Sequence, residues 1–155
     1  VKSIENSERP NIILIGIPGE LTLFDNRFPS NFGEVAFLIS NAVRPDFFIL
    51  SVLYMEGLEQ LNIIKPLIEN KTGFYINCIN MSNAQFDLSE SIEKKKKCYN
   101  FLPHNFVDNR INTFVKTDIP LNNILNKHGR EEMSRLLIDT LSDYCVSENI
   151  CIGGI

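Results

Sequence analysis

The sequence is missing several features that would fix a function early: a long apolar run, a regular cysteine pattern, an excess of basic charge and a glycine motif for nucleotides. No stretch approaches the roughly 18 apolar residues needed to span a bilayer, so no membrane partner is expected. The four cysteines, Cys78, Cys98, Cys145 and Cys151, match no CxxC pair, zinc knuckle or iron–sulfur spacing. With no secretory signal in view, four reduced thiols holding no metal are expected in a cytoplasmic protein. The net charge of −4 argues against a general nucleic-acid binder, which normally shows a strongly basic face. Small molecules and proteins remain as partners. No GxSxG elbow occurs, and the two histidines, His104 and His128, sit in polar segments, so nothing marks a nucleophile and its base. The chain opens on Val1-Lys2-Ser3 rather than methionine, which leads us to expect a fragment of a longer protein, with residues 1–10 as the former leader or linker.

What the sequence does hold is an ordinary globular composition, 44% hydrophobic and 22% charged over 155 residues. That suits one α/β domain over residues 11–145, followed by a tail at 146–155. Residues 11–17 (NIILIGI), 47–53 (FFILSVL) and 74–81 (FYINCINM) are nearly continuous apolar runs. Runs without alternation suit strands covered on both faces of a parallel sheet. Between the first two, Asn31 and Glu34 have capping-box spacing, and Val35, Leu38, Ile39 and Ala42 form one helical stripe that ends at Arg44-Pro45. Between the second and third, Leu58, Leu61, Ile64 and Ile68 recur at near-helical spacing, with Pro66 expected to kink or divide the helix. Strand, helix, strand, helix, strand predicts three parallel strands of a Rossmann-like or flavodoxin-like three-layer fold. Beyond residue 81 the pattern weakens. Short strands are expected at 98–102 and 121–126, a short helix at 105–114, and a final helix at 130–144 that buries Met133, Leu136, Leu137, Leu141 and Tyr144.

In open α/β sheets ligands bind beyond the carboxyl ends of the strands, and three groups of residues are candidates there. The first is the turn Gly16, Pro18 and Gly19 with the helix start at Gly33, where free N–H groups can face an anion. It is neither a Walker A motif nor GxGxxG, and a Pro-Gly pair also simply turns a chain out of a sheet. The second is the long loop that carries Glu20, Asp25, Asn26, Arg27 and Asn31. Its length suggests function, although nothing fixes the spacing of its carboxylates. The third is Ser82 and Asn83, with Asn80, at the end of the third run, joined by Tyr54 and Glu56 after the second. Loop capping by Ser and Asn explains that group equally well. Lys94, Lys95, Lys96 and Lys97 suggest phosphate contacts, but an exposed charged face is the simpler account. No cofactor is indicated.

The stretch that contains IGIPG, Phe24-Asp25-Asn26-Arg27-Phe28, the Asn31-Phe32-Gly33 helix start and ISNAVRPD resembles the second half of the peptide maturation system proteins of clostridial natural-product gene clusters. The likeness continues more weakly through residues 74–87 and the final helix. It implies an accessory or binding role beside a radical-SAM maturase and small precursor peptides, with the peptide, the maturase or a missing N-terminal half as partner. It carries over no catalytic residues, and this chain has no CxxxCxxC cluster of its own. Glu20 stands where the family is expected to have a second glycine, which weakens a phosphate-binding role for that turn. The competing expectation is an enzyme or sensor domain that takes a nucleotide-like small molecule at the strand-end rim.

Overall fold

The structure, a computed structural model, describes residues 1–17, 20–21, 28, 33–57, 59–114 and 117–150, the side chains of 143–150 excepted. The elements in chain order are α1 (Lys2–Glu8), α2 (Glu34–Ala42), β1 (Ile49–Val52), α3 (Glu59–Thr72), β2 (Cys78–Met81), β3 (Ala84–Asp87), α4 (Leu88–Lys94), β4 (Cys98–Phe101), α5 (His104–Thr113), β5 (Leu121–Asn122) and α6 (Lys127–Ile150). They fall into two compact units. One comprises Val1–Pro45 and Leu67–Phe74, the other Asp46–Pro66 and Tyr75–Ile155.

The second unit is α/β and carries a parallel sheet of order β1-β2-β5. Its register places Ile49 beside Cys78, Val52 beside Met81, and Ile79 beside Leu121. The central strand β2 is buried at every position, as its largely apolar sequence allows, and its one polar residue, Asn80, is buried with hydrogen-bond partners. The runs 47–53 and 74–81 thus supply the parallel pair, in segments shorter than the apolar runs that contain them. The third strand is β5, from the weaker 121–126 signal.

The expected strand at residues 11–17 is not formed. Residues 12–17 lie in neither strand nor helix, with Leu14 82% and Ile12 48% exposed. An apolar run states that a segment favours burial, but it does not name the partner that buries it. Periodicity alone therefore overstated the sheet at this point.

A separate two-stranded sheet joins β3 and β4 antiparallel, with α4 as the connection. Asp87 ends β3 and caps α4, accepting a hydrogen bond from the Glu90 N–H at 2.8 Å. Ser91, fully buried, donates to the Asp87 carbonyl and accepts from the Cys98 N–H at 2.8 Å, fastening α4 to β4. The Asp87 carboxyl is held below its ordinary value of 3.8, first by the Glu90 N–H and then by the Asn100 amide. A lowered folded-state value stabilises above 3.8 and fades as the pH falls through it. We therefore expect Asp87→Ala to lower the thermal midpoint at neutral pH, and the gap to the parent to close in acid. Melting curves across that range test it, and a gap that persists unchanged in strong acid contradicts it.

Helix details depart from the sequence pattern in three places. The N-cap of α2 is Gly33 at φ 72°, with no side-chain cap bond, so the cap expected from Asn31 is not the one found; Asn31 itself lies outside the described residues. A left-handed cap of this kind suits glycine, and a Cβ there would also stand 3.1 Å from a Leu21 methyl. The buried residue of α2 is Ala36, while Leu38 is 67% exposed, so the Val35 and Leu38 stripe faces outward. Pro66 does not divide α3, which runs unbroken from Glu59 to Thr72. In that helix Leu61 and Ile68 are buried, as the spacing predicts. In α6 Met133 is buried, with Leu136, Leu137 and Leu141 half-buried on the same side. No described helix is long and apolar enough to cross a membrane.

Candidate functional site

Parallel strands bring their carboxyl ends to one side, and in the second unit that side is filled by asparagines. Asn83, just past β2, donates to the Leu102 carbonyl at 2.8 Å and accepts from the Asn123 side-chain amide at 2.8 Å. Asn123, just past β5 and 1% exposed, accepts from the Leu125 N–H at 2.9 Å. Asn80, within β2, donates to the Ser51 hydroxyl at 3.3 Å and accepts from the Ile124 N–H at 3.1 Å. Asn126 donates to the Asp108 carboxylate at 2.6 Å and accepts from the His128 N–H at 3.0 Å, tying the β5–α6 loop to α5. Each amide supplies a donor and an acceptor, so one residue type can clamp loops without adding charge.

Three of the candidate residues meet here. The Ser82 N–H donates to the Val52 carbonyl at 2.8 Å, and the Tyr54 N–H donates to the Ala84 carbonyl at 2.9 Å. The segment after β1 and the segment after β2 thereby lie side by side. The Ser82 hydroxyl accepts from the Ala84 N–H at 3.0 Å, a local turn of the Ser type. Tyr54 is buried, its ring 5.7 Å from Phe106 of α5. Glu56 is exposed and offers its carbonyl to Arg110, whose guanidinium also lies 5.3 Å from the Phe114 ring. The bonds of Ser82, Asn83 and Asn80 are those of loop capping.

The other candidates fall elsewhere. Gly16 and Gly33 belong to the first unit, Gly16 with open space where a side chain would be. Pro18, Gly19, Asp25, Asn26, Arg27 and Asn31 lie outside the described residues. Lys94 pairs with Glu90, one turn earlier on the exposed face of α4, and Lys95 takes the left-handed C-cap position. The lysine run therefore includes a helix end as well as solvated charge. His128 pairs with Glu132 at 3.3 Å on the exposed side of α6.

Asn122, Asn123 and Asn126 were not singled out from sequence, although the signal was present. Three asparagines within the five residues 122–126, at and just past the end of β5, mark a capped strand end by the reasoning applied to Asn80 and Asn83. Asn122 donates to the Cys78 sulfur at 3.6 Å. Burial pushes the Cys78 thiol up from its ordinary value, with the Asn122 amide opposing in part. A thiol kept protonated and covered acts as a small hydrophobe and not as a nucleophile. Cys98 is likewise a free, buried thiol. Among the described residues no group of three or more His, Cys, Asp or Glu is placed to hold a metal ion. An open depression of about 700 Å³ runs along α6 between Lys127 and Asp139, with Arg130, Arg135 and Ile138 on its walls. All of its walls come from one helix face.

Compared with family models, curated proteins and solved structures, the chain has no match.

Proposed function

We propose that this chain is an accessory or binding domain of a ribosomal-peptide natural-product maturation system, acting by holding a peptide or protein and built on a Rossmann-like plan. The sequence likeness described above supplies the setting. The observation that carries the binding role is the set of apolar side chains left open to solvent within each unit. Leu14 is 82% and Leu38 67% exposed in the first unit, and Ile63 71% in the second, against the usual tendency of such side chains to seek cover. The asparagine rim supports the same reading, because its amides are committed to one another, to backbone groups and to the Ser51 and Asp108 side chains. A fluorescently labelled precursor peptide titrated with the purified chain tests the proposal by anisotropy. We expect a saturable rise that is competed by unlabelled peptide. A flat response for precursor peptide and radical-SAM maturase alike overturns it.

The small-molecule reading keeps one observation in its favour, the convergence of Tyr54, Ser82 and Asn83 at the strand ends. A nucleotide-like ligand at 100 times its dissociation constant adds about 2.7 kcal/mol of stability. A thermal-shift panel of nucleotides therefore separates the two readings.

A further inference from the structure

The start of α6 carries positive charge that the helix itself does not call for. Lys127, His128 and Arg130 stand there with no acid in the first turn, although a helix dipole favours acids at that end and bases at the other. Lys127 pairs with Glu131 at 3.7 Å and His128 with Glu132 at 3.3 Å. Arg130 and Arg135 have no carboxylate partner among the described residues. Arg130 instead reaches back to the β5–α6 loop, where its Nη1 donates to the Ile124 carbonyl at 2.9 Å and the Leu125 carbonyl at 3.1 Å. These bonds hold the guanidinium in place and leave the donors on Nε and Nη2 for a carboxylate. The open depression of about 700 Å³ passes from Lys127 along both arginines to Ile138 and Asp139. Leu125, in the loop that Arg130 grips, is 62% exposed, and Ile138 is 58% exposed.

We infer that this face of α6 is the docking site for an acidic peptide segment, whose carboxylates pair with Arg130 and Arg135 and whose aliphatic side chains cover Leu125 and Ile138. The inference rests on the binding role proposed above and gives it a place and a chemistry. Charge selects the occupant. The lining holds three cations, Lys127, Arg130 and Arg135, against two acids, Glu131 and Asp139, in a chain of net charge −4. One of those acids, Glu131, is already paired with Lys127. The two arginines are separated along the helix axis by roughly 7.5 Å, at about 1.5 Å per residue. An extended peptide brings every second side chain to the same face at intervals of about 6.6 Å. Two acids with one residue between them therefore match the arginines, and aliphatic residues flanking the pair reach the exposed side chains at either end.

Fluorescence anisotropy of a short labelled peptide, two glutamates separated by one serine and flanked by leucines, tests the inference. The control is the same peptide with glutamine in place of both glutamates. We expect saturable binding of the glutamate peptide that weakens as salt is added, and about fivefold weaker binding of the glutamine peptide. Arg135→Glu is expected to weaken the glutamate peptide about tenfold and to keep the parent's melting temperature, and Asp139→Asn to tighten it. Arg130→Gln also releases two loop carbonyls, so Arg135→Glu is the deciding variant. Equal affinity for the glutamine peptide, parent-like affinity in Arg135→Glu, or no saturation with either peptide overturns the inference. So does an oligothymidylate that binds more tightly than the glutamate peptide. A precursor peptide held equally by the parent and Arg135→Glu overturns this site and leaves the binding role standing. Glutamate-peptide binding with the expected variant effects, but no response to precursor peptide or maturase, supports the site and removes the maturation setting.

Discussion

Asn123→Leu is expected to lower unfolding stability by about 1–3 kcal/mol, the range for leaving a buried polar partner unsatisfied. Leucine keeps the branched outline of asparagine and is the larger of the two, so the change removes hydrogen bonds without opening a cavity. The Asn83 side-chain oxygen loses the amide that reaches it at 2.8 Å, and the Leu125 N–H loses its acceptor at 2.9 Å. Because Asn123 is 1% exposed, water does not readily replace either bond. Urea denaturation of Asn123→Leu, Asn83→Ala and the double variant measures the coupling directly. Residues that share a buried bond are non-additive by 0.5–3 kcal/mol in general, and we expect a coupling of about 1 kcal/mol here. Strict additivity contradicts the network.

Gly129→Ala is the second large effect, and its sign runs against local propensity. Alanine in a helix gains about 1 kcal/mol over glycine, and Gly129 lies in the first turn of α6. Yet a Cβ there would stand 2.3 Å from the Asn123 carbonyl oxygen and 3.0 Å from its carbon. Those atoms are backbone, in the loop that the asparagine network holds, so they cannot swing aside as a side chain would. Overpacking of this type costs about 1–3 kcal/mol, and we expect net destabilisation of up to about 2 kcal/mol after the propensity gain. Ser134→Ala, on the exposed face of the same helix, should be close to neutral. A Gly129→Ala protein more stable than the parent shows that helix and loop lie further apart than described.

The same two sites show which parts of the structure a sequence can announce. β2 was legible because burial at every position favours a nearly continuous apolar run, and β1, although Ile49 and Ser51 are exposed, lies within a run of the same kind. Residues 11–17 have the same composition and no strand, because composition expresses a preference for cover and says nothing about which edge provides it. β3 and α4 were missed for the opposite reason. AQFD is half-buried at every position, so it shows no alternation, and LSESIEK is short and polar. The Asp87 and Glu90 cap spacing was the available signal. For the site, Tyr54, Ser82 and Asn83 were placed together correctly by the rule that parallel strand ends converge. Asn123 was not, because its partner Asn83 lies 40 residues away and only the pairing of β5 with β2 brings them together. Gly129 stands one residue before the helix expected at 130–144. Its role in the close approach to Asn123 depends on a loop path that no local pattern encodes.

The asparagine contacts also bear on the order in which the chain assembles. The bond from Asn100 to Asp87 closes only 13 residues, while those that join Asn80 to Ser51 and Asn123 to Asn83 close 29 and 40. Closing a longer loop costs more chain entropy before any contact repays it. The β3–α4–β4 segment is thus the natural early nucleus, and docking of β5 beside β2 a late step. Truncating Asn123 should then accelerate unfolding and leave the refolding rate nearly unchanged, whereas replacing Ser91 should slow refolding. The amide that completes the rim would act on the lifetime of the folded state and not on the speed of reaching it.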